Sequence, residues 1–152
     1  MLKQRPDIWV DADSCPVKDE ILETSSLFSI TPLFITTINH FSGKAEGSWT
    51  FLDDGSQSVD LYIVNHVKPG DIVITQDLSL AVLLTSRRVY VITPRGKLIN
   101  EEDADEIMFY KHLRQKTVKR KGKWKGPSSF TNEDREAFTQ VFKKTLSSFE
   151  GI

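Results

Sequence analysis

Cysteine occurs once among the 152 residues of this chain, so no internal disulfide holds it together. No apolar run approaches the roughly 20 residues that a membrane-spanning helix needs, and the first residues carry no signal-peptide pattern. A cytoplasmic location and no membrane partner are the resulting expectations. Internal repeats and low-complexity segments are also missing. What remains is 39% apolar and 27% charged, the balance of a globular domain long enough to bury a sizeable core. The chain is therefore taken as one domain over residues 1–152, with 111–152 forming a basic segment and a C-terminal helix packed on the core.

An excess of either charge is lacking too, since the formal net charge is −1, but the charges are unevenly placed. Residues 1–110 hold 9 Lys/Arg against 17 Asp/Glu, whereas residues 111–125 hold 8 Lys/Arg and no acid. That block contains Lys111, Arg114, Lys116, Lys119, Arg120, Lys121, Lys123 and Lys125, with Trp124 inside it. An acidic body with one basic arm suggests a polyanionic partner. The plainer alternative is a solvated tether between helices.

The most informative stretch is Trp9-Val10-Asp11-Ala12-Asp13-Ser14-Cys15-Pro16. An apolar strand runs into two carboxylates one residue apart, and Ser14 and Pro16 then suit the opening of a helix. Carboxylates gathered at a strand tip are costly unless a proton or cation answers them, and a hard divalent ion such as Mg²⁺ takes one or two carboxylates as oxygen ligands. The competing reading is that Asp13 or Ser14 caps the helix and Asp11 is a solvated turn residue. Cys15 sits where a helix N-terminus would favour a thiolate, but no His stands beside it in sequence, and packing is the simpler role.

Further along, residues 17–28 carry a helical apolar stripe, and Leu33–Ile38 is rich in β-branched residues after Pro32, as a second strand would be. Residues 39–56 read as a long irregular segment with at most one short strand or hairpin, in which Trp49 anchors the loop to the core. Ser58–Val67 predicts a short helix ended by Lys68-Pro69-Gly70, Ile72–Thr75 a third strand, residues 79–86 a helix, and Val89–Ile92 a fourth strand closed by the Thr93-Pro94-Arg95-Gly96 turn. Asn100 begins a helix running to about Lys116, and Thr131 begins the last one. Strands alternating with helices imply a mainly parallel sheet with helices on both faces, and a strand order of about 2-1-3-4. The C-terminal strand ends then share one edge. Asp11 and Asp13 follow strand one, Asn39 and His40 strand two, Asp77 strand three and Arg95 strand four, with the topological reversal between strands one and three. Asp60 joins them if its helix crosses strand one with its N-terminus at that edge. Asp71 precedes strand three at the opposite end and reads as a turn residue.

Val10-Asp11-Ala12-Asp13-Ser14-Cys15-Pro16, Asp60-Leu61-Tyr62-Ile63-Val64, the run from Gly70 to Ala81, Pro94-Arg95-Gly96, Gly126-Pro127, and Phe130-Thr131 with Asp134-Arg135 and Phe138 together resemble the YaiI/YqxD family of uncharacterised bacterial proteins. Through it the chain is similar to PIN-like domains, including the NYN branch, many of which are Mg²⁺- or Mn²⁺-dependent ribonucleases. The resemblance implies a three-layer PIN-like α/β fold in which Asp11, Asp60 and Asp77 hold metal with Asp13 as an accessory carboxylate. It further implies hydrolysis of phosphodiesters, RNA foremost. Ser14, Asn39, His40, Ser79 and Arg95 would contact phosphate or order water, His40 being the best-placed histidine for proton transfer. Lys119, Arg120, Lys121 and Trp124 would hold the nucleic-acid backbone and stack on a base. Self-association into a homodimer is left open. The chain departs from the pattern in having Ser79 where PIN nucleases often carry a further acid. Two rival readings stand beside the nuclease. One is a nucleic-acid-binding module with a vestigial acidic pocket. The other is a phosphatase of the haloacid-dehalogenase type, with Asp11 as nucleophile and Asp13 as acid/base, which Cys15 fits poorly because a Thr is usual there.

Overall fold

The computed structural model describes residues 5–37, 46–53, 58–121 and 129–149, without the side chains of Ser14 and of residues 117–121. Six strands form a single sheet: β1 (Ile8–Asp11), β2 (Leu33–Thr37), β3 (Ser48–Leu52), β4 (Ile72–Ile74), β5 (Tyr90–Ile92) and β6 (Leu98–Ile99), in the order β3-β2-β1-β4-β5-β6. All neighbours are parallel except β5 and β6. The four strands anticipated from sequence are β1, β2, β4 and β5, and they lie in the anticipated order. One strand is added at each edge. β3 is the one short strand allowed for within residues 39–56, and Trp49 on it stacks on Phe34 with ring centroids 4.7 Å apart. β6 was hidden by its two-residue length. It returns from β5 through a tight turn in which Gly96 has φ +91° and lies so close to the backbone of Ala137 and Phe138 that no Cβ fits.

Successive residues of the central strands face opposite layers, as the pleat requires. Ile8, Val10, Phe34, Ile72, Ile74 and Ile92 belong to one buried cluster, completed by Phe138, Phe142 and Leu146. Trp9, Ile35, Val73 and Val91 belong to the other, with Ile63, Leu80 and Leu84. Helices α1 (Lys18–Leu27) and α5 (Asn132–Ser147) cover the first face, while α2 (Val59–His66) and α3 (Leu78–Thr85) cover the second, where α4 (Glu101–Lys121) packs against α3. Three layers result. The central strands are apolar on both sides, which is why they read as continuous runs rather than alternating ones. Among the described residues no helix is long and apolar enough to cross a membrane.

Two local expectations need correction. The first long helix opens at Lys18 with Val17 as its N-cap and no side-chain cap, so neither Asp13 nor Ser14 caps it, and Ala12–Ser14 forms a short 3-10 turn. The helix expected to stop near Lys116 continues to Lys121, because nothing between the two breaks it, and the first part of the basic arm is therefore helical. α5 starts as expected. Thr131 and Asp134 form a reciprocal capping box, worth about 1 kcal/mol.

Candidate acidic site at the carboxyl edge of the sheet

The parallel topology delivers the carboxyl ends of β1, β2 and β4 side by side. Asp11 is the last residue of β1, and its Oδ2 accepts a hydrogen bond from Thr75 Oγ just past β4, at 2.9 Å. The same buried hydroxyl accepts the backbone N–H of Asp77 at 2.9 Å, so Thr75 ties the two aspartates together. Asp13, on the 3-10 turn, reaches over to β2. Its Oδ1 accepts from Thr36 Oγ at 2.5 Å and from the Thr37 N–H at 3.0 Å. Asp60 lies in the first turn of α2, whose N-cap Ser58 accepts from the Leu61 N–H. That helix packs on β1 and β2, the crossover that its place at this edge requires.

Burial raises the Asp11 pKa above its ordinary value of 3.8. The Thr75 hydrogen bond opposes the rise, and the charges of Asp13, Asp77 and Asp60 add to it. Each of the other three predicted carboxylates is thus within electrostatic reach of Asp11. Distant parts of the sequence meet at one edge.

Asp77 also has a structural task. Its Oδ1 accepts the N–H groups of Ser79 and Leu80 at 3.0 and 3.1 Å and so caps α3. Ser79 contributes its amide to that cap, while its Oγ accepts a 2.6 Å hydrogen bond from Lys111 of α4. The head of the basic segment thereby touches a residue of the acidic edge. Arg95 follows β5 as expected, with its guanidinium paired to Asp134 at 3.0 Å and set over the Phe130 ring. Asn39, His40 and Trp124 lie outside the described residues, as do the side chains of Ser14, Lys119, Arg120 and Lys121. Burial pushes the Cys15 thiol up to about 11, which suits packing and not nucleophilic chemistry.

Three residues of the site were passed over in sequence: Thr36, Thr37 and Thr75. Their signal was a polar residue closing an otherwise apolar strand at the edge where the acids lie. Asp71, expected outside the site at the opposite end of the sheet, does lie there, and it is 4% exposed. It accepts from Trp9 Nε1 and the backbone N–H groups of Asp7 and Lys68, at 3.0 to 3.1 Å.

The donor set at the acidic edge is all oxygen, the chemistry a hard divalent ion prefers. Among the described residues no group of three or more His, Cys, Asp or Glu side chains is gathered closely enough to hold a metal. An all-protein cage is therefore ruled out among the described residues, and any ion here would have one or two carboxylates, with water and a substrate phosphate completing its shell, as is usual for Mg²⁺.

Fold and site together define a three-layer α/β protein with a carboxylate cluster at the edge where such sheets carry their sites. Across residues 9–148 the chain matches the family described as "Uncharacterized BCR, YaiI/YqxD family", and it belongs to that family. It is 43% identical over 146 residues to a UPF0178 protein of Bacillus cytotoxicus, covering 95% of each chain. Over 147 residues it is 39% identical to one of Bacillus velezensis, covering 95% of this chain and 88% of the relative. A relative from Listeria monocytogenes serotype 4b is 36% identical over 148 residues, with 95% of this chain and 97% of the relative covered. No solved structure matches.

Proposed function

We propose that this protein is a divalent-metal-dependent nuclease of the PIN-like kind, acting on RNA by hydrolysis of phosphodiester bonds. The observation that carries the reading is Asp11, a partly buried carboxyl held by one hydroxyl and surrounded by three further carboxylates whose charges resist its ionisation. Such a cluster is maintained against its own repulsion, and perturbed groups of this kind gather at functional sites. Asp11 and Asp77 would hold Mg²⁺ or Mn²⁺, and Asp60 and Asp13 would bind or orient its water. When bound, the ion supplies charge neutralisation at the phosphate and an acidified water.

The chain's own residues have separable tasks in this reading. Thr75 fixes the Asp11 carboxylate and the Asp77 backbone at once, so the two cannot drift apart independently. Thr36 and Thr37 hold Asp13. Lys111, on Ser79, brings an ammonium to the border of the acidic edge, where it would meet a phosphate oxygen. Ser14, Asn39, His40 and Arg95 are the remaining candidates for phosphate or water, and Lys119, Arg120, Lys121 and Trp124 for the RNA backbone and bases.

The test is a single-turnover assay of the purified protein with Mn²⁺ on single-stranded and structured RNA and on DNA. Metal-dependent cleavage of RNA that disappears in Asp11→Asn and Asp77→Asn, with RNA affinity retained, is the expected result. Absence of cleavage on every substrate overturns the catalytic reading. The runner-up, a binding module with a vestigial pocket, is favoured by one observation: the Asp77 carboxylate is already engaged in capping α3. Salt-dependent RNA binding without cleavage would establish it.

A further inference from the structure

We infer that α4 is a self-association surface, on which a second copy of this chain seats its own α4 antiparallel to the first. The proposal is independent of the nuclease reading and begins from the distribution of charge. Every charged residue in the first six positions of α4 is acidic: Glu101, Glu102, Asp103, Asp105 and Glu106. Every charged residue from Lys111 to Lys121 is basic. Matching to the helix dipole accounts for the ends only, since that effect fades within the first and last turns, and it leaves Arg114 and Lys116 unexplained. Where the acidic half gives way to the basic one stand Phe109, 65% exposed, and Leu113, 40% exposed, large apolar side chains standing in water.

Glu106, Phe109, Leu113 and Lys116 are spaced by three, four and three residues, so they form one stripe on the helix. The stripe is apolar at its centre, acidic at one end and basic at the other. In an antiparallel pair crossing at the level of Lys111, Phe109 lies against the partner's Leu113 and Glu106 against the partner's Lys116, and the twofold axis repeats both contacts. Farther out, the levels of Glu101, Glu102 and Asp103 coincide with those of the partner's Lys121, Arg120 and Lys119. A self-complementary patch of this kind is what an isologous dimer requires. A parallel pair would set acid on acid and base on base. Among the described residues neither Glu106 nor Lys116 enters an ion pair within its own chain.

The experiment is sedimentation velocity of the full chain over a concentration series. The wild type should show a monomer–dimer equilibrium that weakens in high salt. Phe109→Ser with Leu113→Ser should weaken it about a hundredfold, with circular dichroism reporting an unchanged fold. Glu106→Lys alone and Lys116→Glu alone should each weaken it about tenfold. Mixing those two variants, or combining both changes in one chain, should restore the dimer, because each lysine then meets a glutamate across the axis. A wild type that is monomeric throughout overturns the proposal, and leaves α4 to nucleic acid if RNA binds it in a salt-dependent way. A dimer indifferent to the Phe109/Leu113 change, or charge variants whose mixture gains nothing, would equally refute it.

Discussion

An aspartate stands at each end of the sheet, Asp71 buried and Asp11 half-buried, and the two are treated in opposite ways. At the amino end Asp71 receives one indole and two backbone N–H groups, all within 3.1 Å. At the carboxyl end Asp11 receives one threonine hydroxyl and faces three further carboxylates. The first is a satisfied charge that locks Trp9 and the turn before β4 into the fold. The second has a single threonine hydroxyl as its side-chain donor, and its surroundings make ionisation harder. What separates the two is the balance of donors and like charges around each carboxylate.

The comparison is broken most severely by Asp71→Ala. Buried N–H donors lose their acceptor, and stability should fall by about 3 kcal/mol, read from urea unfolding, with cleavage by the remaining folded protein unchanged. Asp11→Asn is the complementary change. It should lower RNA cleavage by at least about a hundredfold while leaving the protein folded.

Stability should then move in the reverse direction. The folded-state pKa of Asp11 lies above the ordinary 3.8, so the folded chain holds this proton to higher pH than the unfolded chain does. Its ionisation therefore costs stability as pH rises from about 3.8 through the raised value. Asp11→Asn should be more stable than wild type at neutral pH, and thermal melts should show the gain vanishing below the ordinary carboxylate range. A loss of stability at neutral pH would mean that Asp11 is satisfied after all. The smallest effect concerns the basic segment. Neutralising Lys119, Arg120 and Lys121 together should reduce the salt slope of single-stranded RNA binding by about 2, measured by fluorescence anisotropy. An unchanged slope returns the segment to a solvated helix end.

Much of this architecture was legible in residue patterns. β1, β2, β4 and β5 announced themselves as apolar, β-branched runs, and the order of about 2-1-3-4 expected for them is the one observed. Asp11, Asp13, Asp60 and Asp77 were singled out because each lies where such a fold turns its edge, and the charges of the other three add to the rise in the Asp11 pKa. What escaped depends on partners distant in sequence. Asp71 reads as a turn acid until Trp9, 62 residues away, is seen donating to it. Thr75 is one more strand residue until its hydroxyl is found between Asp11 and Asp77. β6 is too short to carry a period, and Gly96 reveals its need only through the α5 backbone against it. The start of α1 was misjudged because Ser14 and Pro16 have the chemistry of a helix opening, whereas Asp13 uses its carboxylate to hold β2 instead.

Titration of Mn²⁺ into the protein by isothermal calorimetry, comparing wild type, Asp11→Asn and the folded fraction of Asp71→Ala, distinguishes the two ends of the sheet directly. One saturable site in wild type, retained in Asp71→Ala and lost in Asp11→Asn, is the predicted result. Binding that survives in Asp11→Asn, or no saturable binding to the wild type at all, would contradict the assignment of the carboxyl edge as a cation site.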